Sequence, residues 1–325
     1  LRKVQLIGHR GSKAENIPEN SVMAFKRAMM VGVDVIELDV WLTSDKEVVV
    51  FHDGAFKRMC GGIDGHVNDT AFADLPSLVP ETEECAENAR KLEKEQFKRF
   101  AKGDAFRIPK FSEVLALIPP EMGLIVEFKD DRDVDLLIEK TQALLKDVGR
   151  TTAGNTVVFS LKMRINKKLQ QACPTLPTIC SVEEFLITYI YYYLGILPFM
   201  ALSYNIFGCT SQKITAEVIK EELDAMPMWL CRLLNVFVGG KPSKAFMCPN
   251  VVDHLADRAC PCWLLGVNEE VDVPIIPKLH ASGCLTDRPG WLKEKMGKGG
   301  GLGFGGQLGG EAAAAVDASD VKLDV

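Results

Sequence analysis

The chain carries no surplus of basic charge. Its 325 residues hold 38 Lys+Arg against 44 Asp+Glu, a formal net charge of −6 with histidine neutral, which argues against a nucleic-acid partner gripped by a basic face. Cysteine is present without pattern. The ten cysteines are scattered from Cys60 to Cys284 with no C-x-x-C spacing, so the chain is not a small disulfide scaffold and a reducing, intracellular compartment fits best. The one close pair, Cys260 and Cys262, reads as two small buried side chains ahead of a strand. A Walker-type phosphate loop is also missing. Residues 297–310 hold nine glycines in fourteen positions, but without the Lys-Ser/Thr that such a loop needs they form a flexible linker. The alanine run at 312–315 behind it is too short for a stable isolated helix. What is present is 47% hydrophobic and 25% charged residues, enough for a sizeable core and incompatible with a wholly disordered chain. The mean hydropathy of +0.06 leaves room for apolar surface against a membrane. The sequence opens at Leu1 and turns strand-like almost at once, so it is silent on any upstream signal or anchor.

A length of 325 exceeds the usual single domain of about 100–200 residues, but α/β barrels run to roughly 250 residues or more as one unit. Four short apolar runs in the first half, at 4–7, 33–40, 48–51 and 124–128, each end in polar residues and read as buried strands. Between the first two, PENSVMAFKRAMMVG predicts a helix with Asn20 or Ser21 as its N-cap and Gly32 just past its end. Such a β-α-β unit implies parallel strands. Further runs at 156–161, 176–181, 201–207, 262–267 and 283–285 bring the count to about eight, which predicts an α/β fold of the TIM-type (β/α)8 class over residues 1–296. A Gly- and Ala-rich tail follows at 297–325. Residues from about 54–109 read as a small insertion after an early strand, with a turn at Gly61, Gly62 and Gly65 and a charged helical stretch at 81–102.

Residues 185–212 contain no Asp, Glu, Lys, Arg or His, and all five tyrosines of the chain fall inside them. Three readings fit: a helix and strand of the barrel core, an interfacial lip that dips into lipid, or a true span. Length allows the span, Pro198, Gly195 and Asn205 speak against it, and tyrosine favours the membrane-water boundary.

The chemistry concentrates where apolar runs end. Strand side chains alternate faces, so in VDVIELDVW the residues Val35, Glu37, Asp39 and Trp41 share one side. In GLIVEFK, Glu127 and Lys129 share a face; in EVVVFHD, His52 ends a run, with Asp53 next to it; in LIGHRG, His9 and Arg10 follow the first strand. Active sites of parallel barrels sit at the carboxyl ends of the strands, which gathers these groups at one mouth. Burying so many ionisable groups together is costly unless a metal or substrate compensates. Glu37, Asp39 and Glu127 are a hard, all-oxygen set suited to Mg2+ or Ca2+ and not to zinc. Arg10 and Lys129 beside them would attract a phosphate, and His9 and His52 can serve as acid and base.

HRG followed by PENS, then IELDV, VVVFHD, VEFK and the late LTDRP, resemble the glycerophosphodiester phosphodiesterase domain family, over about residues 4–289. The resemblance implies a TIM barrel that hydrolyses phosphodiesters of glycerol, with metal ligation by Glu37, Asp39 and Glu127 and His9 and His52 as the acid-base pair. It also implies a phosphate held by Arg10 and Lys129, support from Asn20 and Asp53, and attack by the substrate's own 2-hydroxyl through a cyclic phosphate. YYYLGILPF and GVNEE are similar to the branch that acts as lysophospholipase D on lysophospholipids. An apolar, tyrosine-rich lip by the barrel mouth would suit an acyl chain, and it implies contact with a membrane surface through 185–212. The alternative is a hydrolase of soluble glycerophosphodiesters, such as glycerophosphocholine, that yields glycerol 3-phosphate. The chain departs from the family in three places. Ser21 stands where Thr is usual, and KRMCGG replaces a basic residue with paired threonines. Leu265 replaces a tryptophan three residues before Asn268, with Trp263 two positions earlier, so the ring that usually stacks on the substrate is absent from its usual position. His66, His254 and His280 match no catalytic position.

Overall fold

The computed structural model describes residues 4–13, 17–79, 106–152, 154–210 and 249–298. In chain order its strands are β1 (Gln5–Gly8), β2 (Val35–Leu42), β3 (Val48–Val50), β4 (Gly123–Phe128), β5 (Thr156–Phe159), β6 (Phe207–Thr210), β7 (Cys262–Leu265) and β8 (Gly283–Thr286). Seven of them lie side by side in the order β5-β4-β2-β1-β8-β7-β6, every pair parallel. Single parallel bridges Val158–Thr178 and Ile179–Ile206 join the outer sides of β5 and β6 to one short segment. Eight parallel positions therefore run round the barrel, as the sequence predicts. The run at 176–181 makes bridges and not a full ladder because Pro177 has no N–H to donate; its carbonyl only accepts from Val158 N, at 3.1 Å.

The run at 48–51 is not a barrel strand. β3 pairs antiparallel with the upper end of β2, Val50 against Val40 and Val48 against Leu42. The reason is loop length: residues 43–47 can close a hairpin, whereas a parallel return needs a dozen residues or more. Thr43 N bonds Glu47 O at 3.0 Å to close it. The hairpin stands above the mouth, and its returning arm carries the chain back down to the rim.

The helices are α1 (Val22–Val31), α2 (Phe111–Leu117), α3 (Val134–Asp147), α4 (Met163–Ala172), α5 (Val182–Tyr193), α6 (Pro249–Ala256), α7 (Ile275–Lys278) and α8 (Pro289–Lys298). α1 forms where expected. Ser21 Oγ accepts from Ala24 N at 3.1 Å, and Gly32, left-handed at φ 75°, turns its N–H back to Ala28 O and Met29 O. Alternation on β2 divides the core. Ile36, Leu38 and Val40 pack outward on the helices with Phe25 and Phe111, while Val35 joins Ile7, Ile125, Phe159, Ile179, Ile206 and Trp263 inside the barrel.

The described part of the insertion, 54–79 and 106–109, includes two short 3-10 turns and an antiparallel bridge between Ala55 and His66. Its Phe56, Met59, Cys60, Val67, Leu78 and Ile108 bury one another against Val49 and Phe51 as a separate apolar cap. The charged stretch at 81–102 and the tail beyond residue 298 lie outside the described residues.

Residues 185–210 split between two environments. Phe185, Tyr189 and Tyr204 are buried, with the Phe185 ring stacked on Phe207 at 5.3 Å. Ile190, Tyr193, Leu194 and Phe199 are exposed, Phe199 by 85%. α5 starts on the mouth side, where Val182 N meets Leu161 O beyond β5. It ends on the opposite side, where Arg258, just ahead of β7, donates to Leu197 O and Met200 O. The exposed apolar end therefore points away from the mouth and does not form the lip the sequence led us to expect, because a barrel helix runs antiparallel to its strand. Among the described residues, no helix is long and apolar enough to cross a membrane.

Candidate active site

Asp39 on β2 is the register partner of Glu127 on β4, and Glu37 lies two residues below Asp39 on the same inward face. All three carboxylates are buried, and each offers one oxygen within 4.8 Å of the others. The loop after β1 closes over them. Arg10 N donates to Glu37 Oε2 at 2.8 Å, and its guanidinium approaches Asp39 Oδ2 at 3.4 Å. Asn20 Nδ2 donates to Asp39 Oδ2 at 2.7 Å. Lys129 Nζ lies 2.6 Å from Glu127 Oε1 and 3.5 Å from Asp39 Oδ1.

Backbone geometry at this loop is specialised. Arg10 and Asn20 are left-handed, at φ 50° and 55°, and Asn20 N bonds Arg10 O at 3.1 Å. Strain of this kind costs about 1–3 kcal/mol per residue and persists only where the surroundings enforce it. Gly11 between them sits at φ 84°, and a Cβ there would meet the Ala24 carbonyl carbon at 2.6 Å, so the motif requires glycine.

Each histidine is held by one carboxylate. His9 Nδ1 pairs with Asp287, and His52 Nδ1 lies 2.6 Å from Asp53 Oδ1. Burial opposes the charge on both aspartates, but their histidine hydrogen bonds and nearby cations hold them below the usual carboxylate range. An ionised carboxylate only accepts, so each Nδ1 carries the proton and each Nε2 lone pair is left for chemistry. His9 Nε2 stands 3.9 Å from Glu37 Oε2. Burial pushes both imidazoles down, against the hydrogen bond of Asp287 on His9 and the charge of Asp39 on His52, which favours neutral rings ready to take a proton. His52 reaches the mouth from above on the hairpin, with Phe51 N on Asp39 O at 3.1 Å and Trp41 Nε1 on His52 O at 3.0 Å.

The structure thus brings together all nine residues singled out from the sequence, and it adds four. Buried Glu19 takes Arg10 NH1 at 2.8 Å and Arg58 NH2 at 2.5 Å. Arg58 also forks onto Asp53. Asn268 Nδ2 donates to Asp287 Oδ2 at 2.9 Å, and its Oδ1 accepts from Asp287 N at 2.8 Å. Glu19 and Asp287 sit inside PENS and LTDRP, so the signal was in those strings, but no spacing rule points from them to Arg10 or His9.

Electrostatics test whether a metal fits. Burial, then repulsion from Asp39 and Glu127, pushes Glu37 well above its ordinary value, and Arg10 offsets this only in part. Asp39 goes the other way: burial would raise it, but Lys129, His52, Arg10 and the Asn20 hydrogen bond hold it low. Around the mouth, Glu19, Glu37, Asp39, Asp53, Glu127 and Asp287 face the cations Arg10, Lys13, Arg58 and Lys129. With every carboxylate ionised, two negative charges are left over, the charge of one divalent ion. Glu37 Oε1 and Asp39 Oδ1 are buried without a hydrogen-bond partner. A hard divalent cation fits these oxygens.

The departures from the family have local explanations. Met59 and Cys60 are buried in the apolar cap, where threonine hydroxyls would need partners. Trp263 and Leu265 both point into the barrel, Trp263 buried beneath the mouth beside Gly283, so neither presents a ring to the site. His66 packs edge-on to Trp41 and caps a 3-10 turn, and His280 pairs with Asp253 at 2.8 Å.

Comparison with known proteins gives a consistent result. Residues 9–291 match the sequence model of the glycerophosphoryl diester phosphodiesterase family. The chain is 28% identical to the lysophospholipase D GDPD1 of Rattus norvegicus over 292 residues, 89% of this chain and 84% of that protein. It is 26% identical to the lysophospholipase D GDPD3 of Homo sapiens, over 90% of this chain and 85% of that protein. Among solved structures, a putative glycerophosphoryl diester phosphodiesterase from Silicibacter pomeroyi superposes with a TM-score of 0.63 at 18% identity, covering 94% of this chain and 96% of its own. An Oleispira antarctica phosphodiesterase in complex with the product sn-glycerol-3-phosphate superposes with a TM-score of 0.61 at 17% identity, covering 90% and 96%.

Proposed function

Because the chain belongs to the glycerophosphoryl diester phosphodiesterase family, and is thereby a phosphodiester hydrolase, we propose that its substrates are lysophospholipids, from which it releases the headgroup alcohol. The observation that carries the chemistry is the buried Glu37–Asp39–Glu127 cluster flanked by two carboxylate-held histidines. The relatives named lysophospholipase D, matched over most of the chain, support the substrate class.

In this reading Glu37, Asp39 and Glu127 hold one Mg2+ or Ca2+, which when bound supplies Lewis-acid stabilisation of charge on a phosphoryl oxygen. Arg10 and Lys129 bind the non-bridging phosphate oxygens and orient the diester. One histidine Nε2 takes the proton of the substrate 2-hydroxyl as its oxygen attacks phosphorus. The other, once its Nε2 has taken up a proton from water, delivers that proton to the departing headgroup oxygen. Water then opens the cyclic phosphate with the two roles exchanged, and Asn20 and Asp53 keep Asp39 and His52 in register throughout. Ile190, Tyr193, Leu194 and Phe199 offer an apolar surface for a membrane inside the cell, and the seven described cysteines, all free thiols, support that compartment.

Purified protein given lysophosphatidylcholine and Mg2+ or Ca2+ should release choline, and Glu37→Ala should abolish this. Folded protein that releases none with either ion would reject the reading. The second reading, hydrolysis of soluble glycerophosphodiesters to glycerol 3-phosphate, draws support from the apolar end of α5, which lies on the side away from the mouth. Faster turnover of glycerophosphocholine than of its acylated form would favour it. Flotation with liposomes, lost on Phe199→Ser together with Leu194→Ser, tests the membrane surface.

A further inference from the structure

Arg58 lies outside the catalytic set, yet it joins two halves of the mouth. Its Nε donates to Asp53 Oδ2 at 2.6 Å and its NH2 to Asp53 Oδ1 at 2.8 Å, a bidentate grip on one carboxylate. That same Asp53 Oδ1 takes the proton of His52 Nδ1 at 2.6 Å. On its other side, Arg58 NH2 donates to Glu19 Oε1 at 2.5 Å, the oxygen that also accepts from Arg10 NH1 at 2.8 Å. A continuous line of charged hydrogen bonds therefore runs Arg10–Glu19–Arg58–Asp53–His52. It links the phosphate-holding arginine after β1 to the histidine on the hairpin.

We propose that Arg58 is a positioning residue that sets His52 and Arg10 in one geometry through Asp53 and Glu19. The inference rests on the hydrolase reading of the site. Glu19, His52 and Asp53 bring ligand-type atoms within 4.8 Å of one another, and two carboxylates so close repel unless a cation stands between them. A guanidinium meets this need better than an ammonium, because its planar fork can hold Asp53 with two donors and still reach Glu19. The backbone beneath it is fixed. Met59 and Cys60, the next two residues, are buried in the apolar cap, Cys60 N bonds Phe56 O at 2.8 Å and Val79 N bonds Met59 O at 2.7 Å. In KRMCGG the arginine thus supplies the charge and the two apolar residues supply the anchor.

The test has an activity arm and an arm independent of turnover. On a phosphodiester that the wild type hydrolyses, Arg58→Ala should lower kcat/KM by about 10–100-fold, as removal of an outer partner of a site group does. Added guanidinium should restore several-fold of that loss, with no gain for the wild type or for Arg258→Ala on the far side of the barrel. Arg58→Lys, which keeps the charge and loses the fork, should fall between. Long-range 1H–15N spectra of neutral His52 should show one Nδ1–H tautomer in the wild type and a mixture in Arg58→Ala and Arg58→Lys. Variants with wild-type kcat/KM, a loss that guanidinium does not restore, or an unchanged His52 tautomer in both variants would each overturn the proposal. A wild type that hydrolyses no phosphodiester would instead count against the functional reading, and the tautomer arm would still decide the role of Arg58.

Discussion

Asp39 and Glu127 face each other across the parallel β2–β4 ladder, two carboxylates in register inside a closed barrel wall. Like charges directly opposite on neighbouring strands are destabilising, and burial deepens the cost. Lys129 lies against both, yet Glu37 brings a third carboxylate within reach. The sheet thus gathers three carboxylates against one lysine at this point, a set suited to a divalent cation.

A divalent ion should stabilise the fold. At an ion concentration about 100 times Kd the gain is about 2.7 kcal/mol, which for a barrel of this size raises Tm by several degrees. Calorimetry with Mg2+, Ca2+ and chelator checks this. Glu37→Gln should melt no lower than the wild type in chelator, since burial and its acidic neighbours already disfavour a charge at Glu37, and should respond to the ion much less.

Asp287→Asn should impair catalysis without unfolding the barrel. The amide can donate to His9 Nδ1, which favours the wrong tautomer and turns the Nε2 lone pair into an N–H. Loss of an outer partner of this type costs about 10–100-fold, and a wrong tautomer more. Steady-state kinetics at fixed ion concentration, with Tm within a few degrees of wild type, would bear this out; unchanged kcat would count against the dyad.

Glu19 should dominate part of the acid limb of stability. Burial would raise its carboxyl, but the Arg58 hydrogen bond and the charges of Arg10 and Lys13 bring it down to about 2 from an ordinary 4.5. A depressed folded-state pKa gives stability that is complete above pH 4.5 and lost as the pH falls toward 2. Its size is on the order of 3 kcal/mol. Urea unfolding of the wild type and Glu19→Gln should differ by about that amount at pH 6 and converge toward pH 2; a constant gap would show that the loss is packing and not charge.

Gly11→Ala should be among the most damaging single changes in the chain. Its φ of 84° excludes a side chain at ordinary cost, and the new Cβ would overlap the Ala24 backbone in α1. A loss of at least about 2 kcal/mol is expected from strain and displacement of that helix, read as a fall in Tm and in soluble yield. A variant as stable as the wild type would show that the loop can open away from α1.

Much of the site was legible before folding. The two-residue spacing of Glu37 and Asp39, and of Glu127 and Lys129, states by itself that each pair shares a face, and the caps of α1 follow from Ser21 and Gly32 alone. Other features are not local. Nothing near Glu19 in the chain names Arg58, thirty-nine residues away, and nothing near His9 names Asp287, which lies beside it only because the last strand of the barrel pairs with the first. Residues 48–51 hold the buried strand that their apolar content marks, but apolar content does not give a strand its direction, which the short 43–47 loop decides.

The sequence by itself determined which runs form buried strands, which strand faces carry charge, and that an acidic cluster would meet histidines at one rim, because side-chain period and burial cost act within a few residues. Only the tertiary structure decided that His52 descends from a hairpin, that Arg58 bridges Asp53 to Glu19, and that the exposed apolar end of α5 turns away from the mouth. Those depend on where separate strands and helices close on one another, and that closure is set by packing of the whole barrel.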